Sequence, residues 1–295
     1  MLRALQDRGH VLAVSPEALE AAYPVLGFDA FMRFAELVRP LKDDFAVVKE
    51  ILALHIGRLR EQHVVYTEVT AGFGLLPLSA GPAAQLERAR ELRAAADAAA
   101  AGSLRVELLL GLTRTMAPEL LEAGVGSIVR LFEEGLIAGV AWAGEEDGYP
   151  MRPFRRSIAR LKEARVGIEV HAGEWCGPES VWEALEHASP DRIGHGLAVF
   201  RDERLAELCR ERQIHIEMCP TSNLRTGAIA RLEEHPLRRA FDAGFNVSLG
   251  SDDPGAFECT LESEYALAAD VFGFSLAELE RLTANALRSR FRAAP

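Results

Sequence analysis

The chain has 295 residues, of which 49% are apolar, enough for one large α/β domain or two ordinary ones. Its net charge of −11 disfavours nucleic acids and anionic membrane surfaces as partners, but it leaves a small ligand in a pocket open. Four cysteines without a CxxC spacing, no apolar run of membrane-spanning length and no signal peptide predict a reduced, cytoplasmic protein.

In chain order, residues 1–60 read as helices, and strand patterns then alternate with helical patterns. Seven segments read as strands: 63–69, 104–112, 136–144, 166–173, 191–196, 214–220 and 245–253. Alternation of this kind is typical of parallel strands joined by right-handed crossovers. A (β/α)8 barrel needs one strand more. We therefore predict a TIM-type barrel, a single domain over residues 1–295, with its first strand apparently missing.

Polar residues follow the later strands, at the edge where barrel active sites lie. His171 ends one strand and Glu174 stands three positions further on; His195 ends the next strand, and Asp252 and Asp253 end the last. Imidazole and carboxylate donors without a thiolate pattern suit a catalytic zinc or a similar divalent ion. These residues predict metal-assisted hydrolysis, with a glutamate that shuttles protons.

Five stretches, in this order and at roughly this spacing, resemble the adenosine deaminase family of metal-dependent amidohydrolase barrels: HAGEWCGPESVWEAL, RIGHGL, EMCPTSNLRTGAI, LEEHPL and LGSDDPGAFECTLESEY. The resemblance covers nearly the whole chain. It implies hydrolytic deamination of a 6-aminopurine nucleoside, adenosine to inosine and ammonia, by a zinc-activated hydroxide, with one zinc ion per complete chain.

The resemblance also implies a role for each matching residue. His171 and Asp252 would be zinc ligands, and Glu174 would protonate the purine ring nitrogen beside the carbon under attack. His195 would orient and activate the hydroxide. Asp253 would bind a nitrogen of the purine's imidazole ring, and the backbone of Gly144 would bind a nitrogen of its pyrimidine ring.

Several features leave the substrate open. Ser251, before the paired aspartates, replaces the threonine of many adenosine-specific members, and a serine there also occurs in relatives that act on adenine or on aminofutalosine. Glu169 shares strand parity with His171, so we expect a carboxylate inside the barrel that needs a partner or a proton. The oligomeric state is not predicted.

The family's first strand carries two further zinc ligands in a His-x-His pair, and this sequence contains no such pair. We therefore expect two of four protein ligands, weak zinc binding and exposed sheet edges. A non-catalytic, N-terminally truncated barrel that binds a nucleoside is the alternative from another functional class. The retained glutamate, histidines and paired aspartates favour the enzyme.

Overall fold

A computed structural model describes residues 2–72 and 75–291 of the chain. In these residues one sheet of seven parallel strands pairs strictly in chain order. The strands are β1 (Tyr66–Ala71), β2 (Arg105–Thr113), β3 (Gly139–Ala143), β4 (Gly167–Ala172), β5 (Arg192–His195), β6 (His215–Met218) and β7 (Val247–Leu249). Each strand overlaps its predicted segment, which confirms the predicted strand order.

Helices precede the sheet and connect its strands. In the described residues they are α1 (Leu2–Asp7), α2 (Pro16–Glu20), α3 (Phe28–Val38), α4 (Phe45–Glu61), α5 (Pro82–Ala100), α6 (Pro118–Glu133), α7 (Arg155–Glu163), α8 (Pro178–His187), α9 (Glu203–Glu211), α10 (Pro220–Thr226), α11 (Leu237–Asp242), α12 (Pro254–Phe257), α13 (Leu261–Asp270) and α14 (Leu276–Arg288). At least one helix lies between every two consecutive strands, as in a TIM-type barrel.

The sheet curls but does not close. Arg192 of β5 forms an ion pair with Glu68 of β1, so side chains from distant strands meet in the interior. Within the residues that the structure describes, β1 pairs only with β2, and β7 pairs only with β6. The gap between β1 and β7 stands where an eighth strand would complete the barrel. This agrees with the prediction of a (β/α)8-type fold that is one strand short.

Strand parity separates the core from the interior of the barrel. On β4, the apolar residues Ile168, Val170 and Ala172 belong to the main hydrophobic core against the helices. Since successive side chains of a strand point to opposite faces, Glu169 and His171 face the interior. The sequence pattern of this strand therefore places a carboxylate and an imidazole inside the barrel.

The amino-terminal end of the barrel is plugged by Phe291. Its ring lies under the guanidinium of Arg192, with 3.6 Å from Cζ to the ring centroid. Gly139 leaves room for the ring, because a Cβ there would stand 2.7 Å from Phe291 Cδ2. The glycine at the start of β3 is thus a packing requirement.

The helices before the sheet pack beside its carboxyl end. Phe31 of α3 stacks on Phe257 of α12 with ring centroids 5.2 Å apart, and the Tyr23 hydroxyl donates to the Gly255 carbonyl. These contacts tie the N-terminal segment to α12, which follows β7. Among the described residues, none of the helices combines the length and apolarity needed to cross a membrane.

Candidate active site

His171, at the end of β4, lies against Glu169. Its Nε2 is 3.2 Å from Glu169 Oε1, and the carboxylate is buried. Gly194 on β5 provides the space, because a Cβ there would lie 2.7 Å from Glu169 Oε1. Burial alone would lower the pKa of His171, but the carboxylates around it, Glu169 first, raise it to about 10. The expectation that Glu169 points into the barrel is confirmed.

His195 reaches the same space by an unusual backbone conformation. It pairs in register with Ala172, whose side chain faces the helices. The φ of His195 is +60°, in the left-handed region, where residues other than glycine are uncommon. Its ring meets that of His171 edge to face, with centroids 4.6 Å apart. A residue other than glycine in this conformation stores strain of about 1–2 kcal/mol.

Glu174 lies on the loop after β4, and Glu146 holds that loop. The buried carboxylate of Glu146 accepts hydrogen bonds from the backbone N–H groups of Gly173 at 2.6 Å, Glu174 at 2.9 Å and Trp175 at 3.2 Å. The Ser180 hydroxyl adds a fourth bond at 2.5 Å. The sequence analysis did not single out Glu146. The feature that could have indicated it is an acidic residue shortly after the predicted strand 136–144.

The carboxylate of Glu174 contacts two buried partners. Its Oε2 is 3.5 Å from His195 Nε2, and its Oε1 accepts a hydrogen bond from Asn223 Nδ2 at 3.2 Å. Burial raises the pKa of Glu174 above its usual value, with His195 opposing the shift. A carboxyl group that keeps its proton nearer to neutral pH is suited to general acid catalysis.

Asp252 and Asp253 follow β7. Ser222 Oγ donates to Asp252 Oδ2 at 2.6 Å, and Asp252 has φ of +53°. Burial, and then the charge of Asp252, raise the pKa of Asp253 to about 7. The negative charge of Asp252 thus disfavours ionisation of Asp253, because like charges resist ionising together.

Gly144 follows β3 with φ of +92°, a conformation that favours glycine. A Cβ there would stand 3.0 Å from the Thr113 hydroxyl oxygen. Its neighbour Ala143 lines the main cavity.

Two further buried residues join the site, and the sequence analysis did not assign them a role. Asn223 of α10 bonds His195 Nδ1 at 3.1 Å, and its Oδ1 lies 3.2 Å from His235 Nε2. The backbone N–H of Leu237 donates to His235 Nδ1 at 3.2 Å. Both residues lie in stretches that resemble the family, EMCPTSNLRTGAI and LEEHPL, but the bonds between them are visible only in the fold.

The donors suit a metal ion. One ligand atom each from His171, Glu174 and His195 lies within 4.8 Å of the others, and among the described residues Asp252, the second ligand that the resemblance implies, is not part of this group. Ligands at about 2.0–2.2 Å from one zinc lie within roughly 4.4 Å of each other, so the cluster is close to the spacing of a zinc site. Glu169 Oε1, the oxygen beside His171 Nε2, adds a buried carboxylate to this space. The nitrogen and oxygen donor set fits a zinc-type ion.

A cleft of about 1530 Å³ connects these residues with the gap in the sheet. Its lining includes both histidines and both aspartates, together with β1 on one side and the end of β7 on the other: His171, His195, Asp252, Asp253, residues 66–71 and residues 248–251. The cleft has room for a purine nucleoside.

The chain is similar in sequence and in fold to known proteins. The sequence profile of the adenosine deaminase family matches residues 16–295. An adenine deaminase from Sinorhizobium fredii is 31% identical over 297 residues, covering 97% of this chain and 88% of the relative.

Solved structures agree in fold. The adenine deaminase from Arthrobacter aurescens superposes with a TM-score of 0.79 at 24% identity, covering 98% of this chain and 88% of that one. An amidohydrolase from Burkholderia ambifaria with bound zinc gives 0.76 at 19% identity, with coverage of 95% and 78%. The chain belongs to the adenosine deaminase family, whose members are metal-dependent amidohydrolases that deaminate adenine- and adenosine-like purines.

Proposed function

We propose that this chain removes the exocyclic amine of a 6-aminopurine by zinc-dependent hydrolysis. Water converts adenosine to inosine and ammonia, or adenine to the 6-oxopurine base and ammonia. The observation that carries the proposal is the cluster of donor atoms from His171, His195 and Glu174, of which the two histidines line one cleft together with the paired aspartates. Water adds to the carbon that bears the amine, a proton reaches the neighbouring ring nitrogen, and ammonia leaves.

His171 and Asp252 are the residues that would hold zinc, since imidazole and carboxylate are ligands of catalytic zinc sites. A bound zinc ion would activate water by lowering its pKa towards about 7. Ser222 orients Asp252 through its hydrogen bond of 2.6 Å. Outer hydrogen bonds of this kind fix the direction in which a ligand presents its lone pair.

Glu174 would donate a proton to the ring nitrogen beside the carbon under attack. Its raised pKa supports this role, because the acid must hold a proton until the ring nitrogen gains basicity. The loop anchored by Glu146 limits the movement of the donor. An acid held in position contributes more to the rate than a mobile one.

Asp253 and Gly144 would orient the purine. A pKa of about 7 leaves Asp253 partly protonated near neutrality, and a protonated carboxyl group can donate a hydrogen bond to a nitrogen of the imidazole ring. The backbone N–H of Gly144 would serve a nitrogen of the pyrimidine ring. Two such contacts on opposite sides fix the plane of the base.

Two substrates have support. Adenosine follows from the family to which the profile belongs, and adenine follows from the S. fredii relative that matches nearly the whole chain. Aminofutalosine remains a candidate because Ser251 precedes the paired aspartates. The cleft at the sheet gap is large enough for a base or for a nucleoside. Its size therefore does not select among the substrates, and an assay must do so.

The test is ammonia release by zinc-reconstituted protein with adenosine, adenine and aminofutalosine in parallel. The proposal predicts ammonia from at least one of the three, with the ratio of kcat/KM values identifying the substrate. Zinc binding with no ammonia from any of the three would instead support the non-catalytic, nucleoside-binding barrel.

A further inference from the structure

A hydrogen-bonded series runs from the backbone of α11 to the centre of the site. It begins at the N–H of Leu237, which can only donate, and which contacts His235 Nδ1 at 3.2 Å. His235 Nδ1 must therefore accept. Because burial lowers the pKa of His235 to about 3, the ring is neutral and carries its one proton on Nε2.

The proton on His235 Nε2 sets the orientation of Asn223. Nε2 lies 3.2 Å from Asn223 Oδ1, which accepts, so the amide nitrogen must point the other way. Asn223 is fully buried, with 0% of its surface exposed. Its two N–H groups then have two acceptors: Glu174 Oε1 at 3.2 Å and His195 Nδ1 at 3.1 Å.

The last member of the series is His195. Its Nδ1 receives an N–H from Asn223, so in the neutral ring the proton lies on Nε2. That nitrogen is the one directed at Glu174, at 3.5 Å from Oε2, and at the cavity. A neutral imidazole with its proton on Nε2 has no lone pair to offer on that side.

We propose that Asn223 and His235 are positioning residues that hold His195 in the Nε2–H tautomer, so that His195 acts on the reacting oxygen as a hydrogen-bond donor and not as a base. This inference rests on the proposed deaminase function, and it assigns to His195 the role of a hydrogen-bond donor in that reaction. A donor aimed at the attacking oxygen holds that oxygen in place and stabilises its negative charge before the attack. Proton transfer is left to Glu174, which gives its proton to the ring nitrogen and then takes, in turn, the two protons that the oxygen loses; it passes one to the departing amine and keeps the other. The same Asn223 amide holds both groups, so it fixes their relative orientation.

The tautomer can be read directly by nitrogen-15 NMR of the histidine rings, with and without zinc. The His195 signals are assigned by their loss in His195→Gln. In the unmodified protein, we expect the proton on Nε2 and a non-protonated Nδ1. A proton on Nδ1 would overturn the proposal, and this measurement requires no substrate and no variant of Asn223. A correct tautomer without ammonia release would count against the deaminase function alone.

Asn223→Asp reverses the polarity of the contact with little change of shape. A carboxylate accepts where the amide donated, so the His195 proton should move to Nδ1. We expect kcat to fall by about 10²–10³-fold, as for loss of a preorganised donor, while KM changes by less than about threefold. An unchanged tautomer in Asn223→Asp would contradict the proposal.

The matched control is Asn246→Asp. Asn246 also bonds a buried histidine, His215, with Oδ1 at 3.1 Å from Nδ1, but at the opposite end of the strands. This variant should leave the His195 resonances and kcat unchanged. If Asn246→Asp moved the His195 proton as Asn223→Asp does, the effect would be one of general destabilisation, and the assigned role would be wrong.

Discussion

The side chain of Glu146 accepts the backbone N–H of Glu174 at 2.9 Å, so one buried carboxylate holds the loop that carries the acid. Glu146→Gln replaces one acceptor oxygen by an N–H₂ group that faces donors. We expect a loss of about 2–3 kcal/mol in the free energy of unfolding, since bonds to charged groups contribute about 1.5–3 kcal/mol each. We also expect a lower kcat with zinc content preserved. Its exposed neighbour gives the control: Glu145→Gln should change neither quantity, measured by urea unfolding and metal analysis.

The ion pair of Glu169 and His171 should make the stability of the metal-free protein depend on pH. An unfolded histidine titrates near 6.5, and this one at about 10 in the folded chain. Its stabilisation is therefore fully present below about pH 6.5 and is lost as the pH rises through about 10. Glu169→Gln removes the negative charge that stabilises the protonated ring. The free energy of unfolding should then fall less steeply with pH, where the steepest fall possible for one proton is about 1.4 kcal/mol per pH unit.

Urea unfolding of the metal-free protein between pH 6 and 10 measures this decline. Glu107→Gln is the control, because Glu107 is also buried in the interior but pairs with Arg105 at 2.9 Å and not with a histidine. If the free energy of unfolding fell equally steeply with pH in the natural protein and in Glu169→Gln, Glu169 would not be what keeps His171 protonated.

His171→Ala should abolish both zinc binding and turnover, because it removes an imidazole for which the described residues offer no replacement at that position. Calorimetric titration of the metal-free protein with zinc, which also detects weak binding, gives the first result, and ammonia release gives the second. His187→Ala, on α8 and away from the cleft, should retain both. Retention of zinc at the natural level in His171→Ala would refute the ligand assignment.

Phe291→Ala should destabilise the protein by about 2–4 kcal/mol, because removing a large ring from a packed position creates a cavity. The ring also loses its contact with Arg192. Phe291→Leu keeps most of the volume and should cost about 1 kcal/mol. Since the plug lies at the end opposite to the site, thermal unfolding should shift while kcat at low temperature does not. A large change in kcat with unchanged stability would contradict the view that the amino-terminal end of the barrel supports stability and the carboxyl end carries the site.

The strands were predictable because their apolar residues alternate or run together and turn signals bound them. Parity alone placed Glu169 and His171 on the inner face. Parity alone would have placed His195 with Ala172, towards the helices, and only the left-handed backbone at His195 turns the ring into the cleft. Backbone conformation of this kind depends on tertiary contacts that a single sequence does not display.

Residues that act through others were beyond sequence reasoning. Asn223 and His235 lie in stretches that resemble the family, but the sequence does not show which atom donates to which. The donors and acceptors are set by the burial of both side chains and by the backbone N–H of Leu237, which the fold brings next to His235. The anchoring role of Glu146 likewise needs the loop after β4 to return to the end of β3. Hydrogen bonds between distant segments carry no periodic signal.

The central claim, that Glu174 is the acid of a deaminase, is tested most directly by Glu174→Gln in zinc-reconstituted protein. The glutamine keeps the shape and the bond from Asn223 but has no proton to donate, so ammonia release should fall by at least about 10²–10⁴-fold with zinc content unchanged. Glu179→Gln, further along the same loop and helix start, should behave as the natural protein does. Ammonia release at the natural rate by Glu174→Gln, on the substrate the natural protein prefers, would contradict the account.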